Sequence, residues 1–226
     1  MKKILLATAI VTAFAAPQAF AENAKSFEGL SVQAGTGYRH SSGQYKDIRF
    51  NAVDTGDTAG KASSSNVPLI FGIGYTAAIA NDFTLGAILE YDAIKGKAGN
   101  YDWFVNGVLT TADDGNIKIK NQYTVALVPG YAFDKTTLGY AKIGYSSSKA
   151  NISYADGSPN DKFSLHGWIF GLGAKKLIND NVYAFGEFNY IKNNDKNLSL
   201  TDGVDTVTGK IVSSSYNAIA GVGYKF

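Results

Sequence analysis

The sequence predicts an all-β fold, an eight-stranded antiparallel up-and-down transmembrane β-barrel. Three observations lead to this fold. Side chains alternate with a period of two in eight segments, short and long connections alternate between those segments, and bulky apolar side chains share one face while small and polar ones share the other. The segments span roughly nine to eleven residues, the length that a tilted strand needs to cross a bilayer.

The first 21 residues are predicted to be a secretory signal peptide. Lys2 and Lys3 form a basic start, residues 4–16 form an apolar run, and Ala19-Phe20-Ala21 has the small-x-small pattern of a cleavage site. The alternative, an N-terminal membrane anchor, is disfavoured because the apolar run is too short to span comfortably. Residues 22–226 are then one domain, the barrel.

The composition agrees with a sheet and excludes several functional classes. The chain has 226 residues, with 25 Gly, 14 Tyr and 13 Phe but no Cys. The absence of cysteine excludes a disulfide framework, a thiolate metal site and a cysteine nucleophile. A formal charge of +2 argues against nucleic-acid binding, which requires a strongly basic surface.

The strands and their connections follow a regular order along the chain. Four segments alternate clearly and four more weakly: 67–75, 83–91, 123–133 and 216–226, then 30–39, 137–147, 166–175 and 182–191. Short turns are expected at 77–82, 134–136 and 177–181, and long polar links at 40–65, 95–119, 148–162 and 192–210. Short turns at one end and long loops at the other are the layout of outer-membrane barrels.

The apolar face is predicted to contact lipid. Its aromatic residues gather near strand ends, as in the girdles at the two membrane interfaces; they include Tyr75, Phe83, Tyr91, Tyr123, Tyr131, Phe133, Tyr216, Tyr224 and Phe226. Eight strands enclose room only for side chains, which suits the small and polar opposite face. The alternative is a soluble lipocalin-like barrel with the bulky side chains inside.

The end of the chain, from Ala218 to Phe226, resembles the C-terminal strand of bacterial outer-membrane proteins. The stretches 121–131 and 140–145 resemble the fourth and fifth strands of the small Ail/OmpX and opacity-like barrels, a group that also includes the OmpA-type barrel. The resemblance implies a place in the Gram-negative outer membrane. It also implies that the barrel-assembly machinery reads an assembly signal in the last strand, formed by Tyr216, Val222, Tyr224 and Phe226.

Three charged residues are predicted to face the lumen, namely Glu90, Lys142 and Glu187. A charge inside a narrow barrel is costly unless it is paired, so we expect Lys142 to bridge at least one of the two glutamates. Two interpretations remain open: a plug of ion pairs that fills the lumen, and a gated path for small solutes.

The second long link is unusually apolar. Tyr101, Trp103 and Phe104 form a candidate binding surface, because aromatic side chains dominate recognition hot spots. The alternative is that they extend the strands or pack against neighbouring loops.

Catalytic and metal chemistry have little support in the sequence. His40, Ser41 and Asp47 are near one another along the chain, and some small outer-membrane barrels modify lipid A, but a Ser-His-acid site needs convergent geometry. The acidic stretches 113–116 and 202–205 lack calcium-loop spacing. We therefore predict no enzyme, no catalytic residue, no metal site and no cofactor.

Two functions remain. The first is a structural and surface-interaction protein, with a role in adhesion or envelope integrity. The second is a narrow porin-like permeability protein for small solutes. For either function we expect a monomer whose partners are outer-membrane lipid, lipopolysaccharide, the barrel-assembly machinery and a host or surface ligand of the loops, with no nucleic acid.

Overall fold

The computed structural model describes residues 23–51, 53–54, 62–94, 96–105, 108–154, 161–202 and 205–226. The predicted signal peptide, residues 1–21, lies outside them. Within these ranges no helix is long and apolar enough to cross a membrane.

The described part of the chain consists almost entirely of strands. A short 3-10 helix, Ala24–Phe27, precedes them. The strands are β1 (Gly29–Phe50), β2 (Val53–Asp54), β3 (Ala62–Asn66), β4 (Leu69–Ala78), β5 (Phe83–Asp92), β6 (Gly96–Val105), β7 (Val108–Ala132), β8 (Thr137–Tyr154), β9 (Asp161–Leu177), β10 (Val182–Asn193), β11 (Lys196–Asp202) and β12 (Asp205–Lys225).

Eight of these strands form a closed antiparallel barrel in the order β1, β4, β5, β7, β8, β9, β10, β12. The closure is the pairing of β12 with β1, which runs from Ser31 opposite Lys225 to Phe50 opposite Val207. Closure is required in a bilayer, because a free sheet edge in hydrocarbon leaves backbone groups without hydrogen bonds. The predicted eight-stranded fold is confirmed.

The two faces of the wall are as predicted along most of the strands, except that Tyr183, Phe185 and Ile219 form a bulky cluster inside the lumen, where small and polar side chains were expected. Leu127, Leu172 and Phe226 point outward with 51%, 70% and 67% of their surface exposed, whereas Asn189 and Asn217 point inward with 2% each. A soluble barrel would bury the bulky apolar side chains, so the lipocalin-like alternative is wrong. The outer surface is apolar and suits acyl chains rather than water.

The strands are longer than the alternation predicts. β1 continues to Phe50 and β7 begins at Val108, although the sequence pattern covers only 30–39 and 123–133. Much of the predicted long links is therefore barrel wall. Beyond the bilayer the outer face of the sheet no longer meets lipid, so the backbone keeps its pairing while the apolar–polar alternation disappears.

The end of the barrel with the short turns also holds both ends of the described chain. Ala24 and Phe27 are buried there against Ala132 and Leu138. In the turn after β7, the backbone N–H and hydroxyl of Thr136 donate to Asp134 Oδ1 at 2.7 and 2.6 Å. These bonds hold the pKa of the Asp134 carboxyl well below its usual range.

Candidate functional site in the barrel lumen

The three predicted charges of the lumen come together at its centre. Lys142 Nζ on β8 donates to Glu90 Oε1 on β5 at 2.8 Å and to Glu187 Oε1 on β10 at 2.5 Å. One further strand separates β8 from each of these partners in the barrel order. The lysine therefore ties together strands that do not pair with each other, and all three side chains are at least nine-tenths buried.

Neutral side chains complete the hydrogen bonding of the two carboxylates. The bonds run from Tyr140 Oη to Glu187 Oε2 (3.0 Å), from Asn189 Nδ2 to Glu187 Oε1 (2.6 Å), from Gln33 Nε2 to Glu90 Oε1 (3.4 Å) and from Tyr183 Oη to Gln33 Oε1 (3.1 Å). Buried charges are tolerated when their remaining hydrogen-bonding capacity is used in this way. We call these residues, with Lys142 and Lys175, the lumen network.

Lys175 is the second cation of the lumen network, and the sequence pattern did not draw attention to it. Its Nζ lies 4.9 Å from the ring centroid of Tyr183 and 5.6 Å from that of Tyr140, within the range of cation–π attraction. With Lys175 the network carries two positive and two negative charges, so Glu90 and Glu187 both have a balancing cation.

The two tyrosines fit because each stands opposite a glycine on the neighbouring strand. Tyr183 pairs with Gly223 and Tyr140 with Gly173. A methyl group at Gly223 would lie 2.2 Å from Tyr183 Cζ, and one at Gly173 would lie 2.4 Å from Tyr140 Cζ. The missing side chains let both rings lie across the wall and reach the centre of the lumen.

A second buried ion pair lies nearer the end with the long connections. Arg39 Nη1 on β1 donates to Asp92 Oδ2 on β5 at 2.5 Å. The other carboxylate oxygen, Oδ1, accepts the backbone N–H groups of Leu69 and Ile94 at 3.3 and 3.1 Å. Continuing the inward positions two residues at a time, from Gln33 to Arg39 and from Glu90 to Asp92, would have found this pair in the sequence.

Three residues of the predicted assembly signal lie on the outer face of β12, and Phe226 directly follows that strand. Tyr216, Val222, Tyr224 and Phe226 are 42%, 58%, 43% and 67% exposed. The rings of Tyr224 and Phe226 meet edge to face with centroids 5.0 Å apart, at the end of the strand that pairs with β1. Their reading by the assembly machinery stays a prediction.

The predicted loop surface is described only in its backbone. Tyr101, Trp103 and Phe104 belong to β6, which pairs with the first part of β7. Their side chains lie outside the described part of the structure.

His40 has a different partner from the serines beside it in the sequence. Its Nδ1 shares a hydrogen bond of 3.0 Å with Ser65 Oγ, and that hydroxyl also lies 2.7 Å from Tyr38 Oη. The His40 ring packs beside Tyr216 at a centroid distance of 5.3 Å. This cluster lies on the exposed outer side of β1 and β3, where it joins an interfacial tyrosine to its neighbours.

Solved structures of three outer-membrane proteins resemble this barrel at low sequence identity. OprG from Pseudomonas aeruginosa has a TM-score of 0.56 at 14% identity, covering 88% of this chain and 97% of that one. AlkL in lipid bilayers has a TM-score of 0.53 at 14% identity, covering 94% of each chain. The outer-membrane protease OmpT from Escherichia coli has a TM-score of 0.52 at 12% identity, covering 88% and 97%.

No protein-family model matches the sequence, and no curated protein matches it either. At 12–14% identity the likeness to solved structures establishes the fold. The closed wall, the apolar outer face and the polar, charge-paired lumen agree with that fold. The chain is therefore an eight-stranded transmembrane β-barrel of the outer-membrane type.

Proposed function

We propose that this protein is a non-enzymatic, monomeric barrel of the Gram-negative outer membrane. It acts at the cell surface, in adhesion or in envelope integrity, and not as an open pore. The observation that carries the proposal is the lumen network, in which the buried Lys142 ammonium joins Glu90 and Glu187 across the barrel. A water-filled path would solvate these charges, whereas here protein groups satisfy them.

The narrow-permeability function is the second candidate, and the cavities on either side of the network favour it. In the cavity bordered by Ser31, Thr76 and Lys175, the centre of a water molecule can move within about 20 Å³. A larger one lies on the other side of the network, toward the long connections. For a solute to pass through the barrel, the Lys142 ion pairs would have to rearrange so that the two cavities connect.

Planar-bilayer recording separates the two candidates. We expect purified wild-type protein to show no stable conductance steps, because the ion pairs and hydrogen bonds of the lumen network close the path. A Lys142→Met/Lys175→Met/Glu90→Gln/Glu187→Gln variant serves as the control, since it removes the four charges of the lumen network and keeps side chains of similar size. Stable steps of one size in the wild type, absent from a protein-free bilayer, would contradict the closed barrel.

The surface role is proposed to reside in the part of the wall beyond the bilayer. There Tyr101, Trp103 and Phe104 supply the aromatic side chains that recognition surfaces use, and lipopolysaccharide is the lipid partner nearest to them. OmpT is a protease by name, but in this chain the described contacts of His40 are to Ser65 and Tyr216, and we include no hydrolytic activity in the proposal.

A Trp103→Ala/Phe104→Ala variant tests the surface role. We expect it to lose most of the binding of wild-type cells to a panel of matrix glycoproteins and host cells, measured by flow cytometry at equal surface expression. The matched control is Ile79→Ala/Ile178→Ala, which removes two exposed apolar side chains from the turns at the opposite end. Equal binding by both double variants would count against this loop as the binding surface.

A further inference from the structure

A cavity fills the barrel between the lumen network and the long connections; we call it the outer cavity. The centre of a water molecule can move within about 70 Å³ of this cavity. That space holds several water molecules or a small organic molecule. Ser41, Ser146 and Ser148 contribute hydroxyl groups to its wall, and Leu165 and Ile191 contribute apolar surface. Most of the lining side chains are polar, seven of them serines, so the cavity offers a small molecule many hydrogen-bonding groups beside a limited apolar surface.

Arg39 is the one charged side chain among the described residues that line the outer cavity. It is 5% exposed. Its Nη1 bonds Asp92, whereas Nε and Nη2 are buried and have no hydrogen-bond partner among the described protein residues. Buried donors without an acceptor are costly, so a ligand that supplies acceptors at this place gains free energy.

The two unpartnered atoms define the chemistry of the ligand. Nε and Nη2 form one edge of the guanidinium group, and their N–H bonds run parallel at the spacing of the two oxygens of a carboxylate. Asp92 holds the opposite part of the group in place and is itself fixed by the backbone of Leu69 and Ile94. The edge is thus held in one orientation before any ligand arrives.

We propose that the outer cavity binds a small organic carboxylate. Its two oxygens accept hydrogen bonds from Arg39 Nε and Nη2, and its short hydrocarbon part contacts Leu165 and Ile191. Asp92 does not line this cavity, so the guanidinium edge is the charged group that the ligand contacts. The inference concerns a site that neither proposed function requires, and it stands whether or not the lumen conducts.

A water molecule is the competing occupant of the free edge. Arg39 also borders a smaller cavity, which is lined by Asn189 and Asn217. The centre of a water molecule can move within about 10 Å³ there. Asn189 Oδ1 is buried and has no described partner. A single water between Arg39 and Asn189 would use the same donors and leave the outer cavity without its anion site.

The test is an NMR titration of the folded barrel in detergent micelles with sodium butyrate, with butyramide as the uncharged control ligand. The Nε–H signal of Arg39 is readily assigned, since Arg49 is the other arginine of the chain. We expect a saturable shift of the Arg39 signal with butyrate and at least tenfold weaker binding of butyramide, because the amide offers one oxygen and no charge.

Two variants decide whether Arg39 and the outer cavity are the site. Arg39→Lys keeps a cation beside Asp92 but lacks the two-donor edge, so we expect at least tenfold weaker butyrate binding, read from ligand signals by saturation transfer. Leu165→Trp keeps Arg39 and fills the cavity, and it should weaken binding similarly. Lys210→Met, which breaks the exposed pair with Asp195, should bind as wild type does.

Three results would overturn the proposal. Butyrate could bind wild type and Arg39→Lys equally, it could bind Leu165→Trp as well as wild type, or the Arg39 signal could remain unshifted while showing cross-relaxation to a bound water. Heat-modifiability gels on each variant show that the barrel is folded. Should Arg39→Lys fail to fold, Leu165→Trp still decides the matter.

Discussion

Replacing Lys142 by methionine should destabilise the folded barrel by about 3–5 kcal/mol, the cost of leaving a buried charge without its partner. Lys142 Nζ bonds both Glu90 and Glu187, and all three side chains are buried. Methionine fills a similar volume but leaves two carboxylates facing each other with Lys175 as their remaining cation. Urea-induced unfolding in lipid vesicles, followed by tryptophan fluorescence, measures the change.

The control is the quadruple variant Lys142→Met/Lys175→Met/Glu90→Gln/Glu187→Gln, because Lys175 would otherwise remain in the lumen as a cation without a balancing carboxylate. It removes the four charges together. The amide oxygen introduced by Glu187→Gln can still accept the hydrogen bond from Asn189, and the Tyr140 hydroxyl can turn to accept one from the amide NH2. Most of the lost stability should therefore return. If Lys142→Met were as stable as wild type, the lumen charges would be hydrated in solution. The argument for a closed lumen would then fail with the ion pairs.

The sequence was sufficient for the wall of the barrel within the bilayer because there the two faces have different solvents. Val125 and Leu127 meet lipid while Thr124 and Ala126 meet the lumen. The contrast is weaker on β10, where Tyr183 and Phe185 are buried in the lumen. The same contrast located the inward charges Glu90, Lys142 and Glu187. Alternation identifies which face a side chain occupies. It therefore also identifies which side chains can meet one another in the narrow lumen.

The same reasoning did not reach the strand extensions, for a physical reason. Beyond the bilayer the outer face no longer meets lipid, so serine-rich β1 and β12 continue to pair from Ser41 opposite Ser215 onward without any apolar period on that face. The outer cavity lies in this region, and Arg39 stands at its inner limit, next to the outward-facing Tyr38. A site at the boundary between two solvents is the one that periodicity locates least well.

Partner choice inside the lumen depends on side-chain length and on gaps in the wall, which a single sequence does not display. Tyr140 and Tyr183 reach the lumen network because Gly173 and Gly223 face them. Lys175 then rests on both rings. Alternation places each of these residues on the inward face. It does not show which residues stand opposite each other on neighbouring strands, so the contact of a ring with a glycine and a cation could not be predicted from the sequence.

Replacing Leu127 by arginine should cost about 2–4 kcal/mol, the depth-dependent penalty for a cation on the lipid face near the bilayer midplane. Leu127 is 51% exposed on the outer face, midway along the stretch of β7 between the aromatic residues Tyr123 and Tyr131. The arginine must either sit in hydrocarbon or bend toward the headgroups, and both choices cost free energy. The measurement is urea unfolding in lipid vesicles.

The matched control is Ala80→Arg, which places the same side chain in the exposed turn between β4 and β5. There the charge meets water and headgroups, so the stability should change by less than about 1 kcal/mol. A barrel with its outer face in water would tolerate both arginines equally. If only Leu127→Arg lowers the free energy of unfolding, and lowers it less in a detergent whose apolar layer is thinner, then Leu127 faces acyl chains.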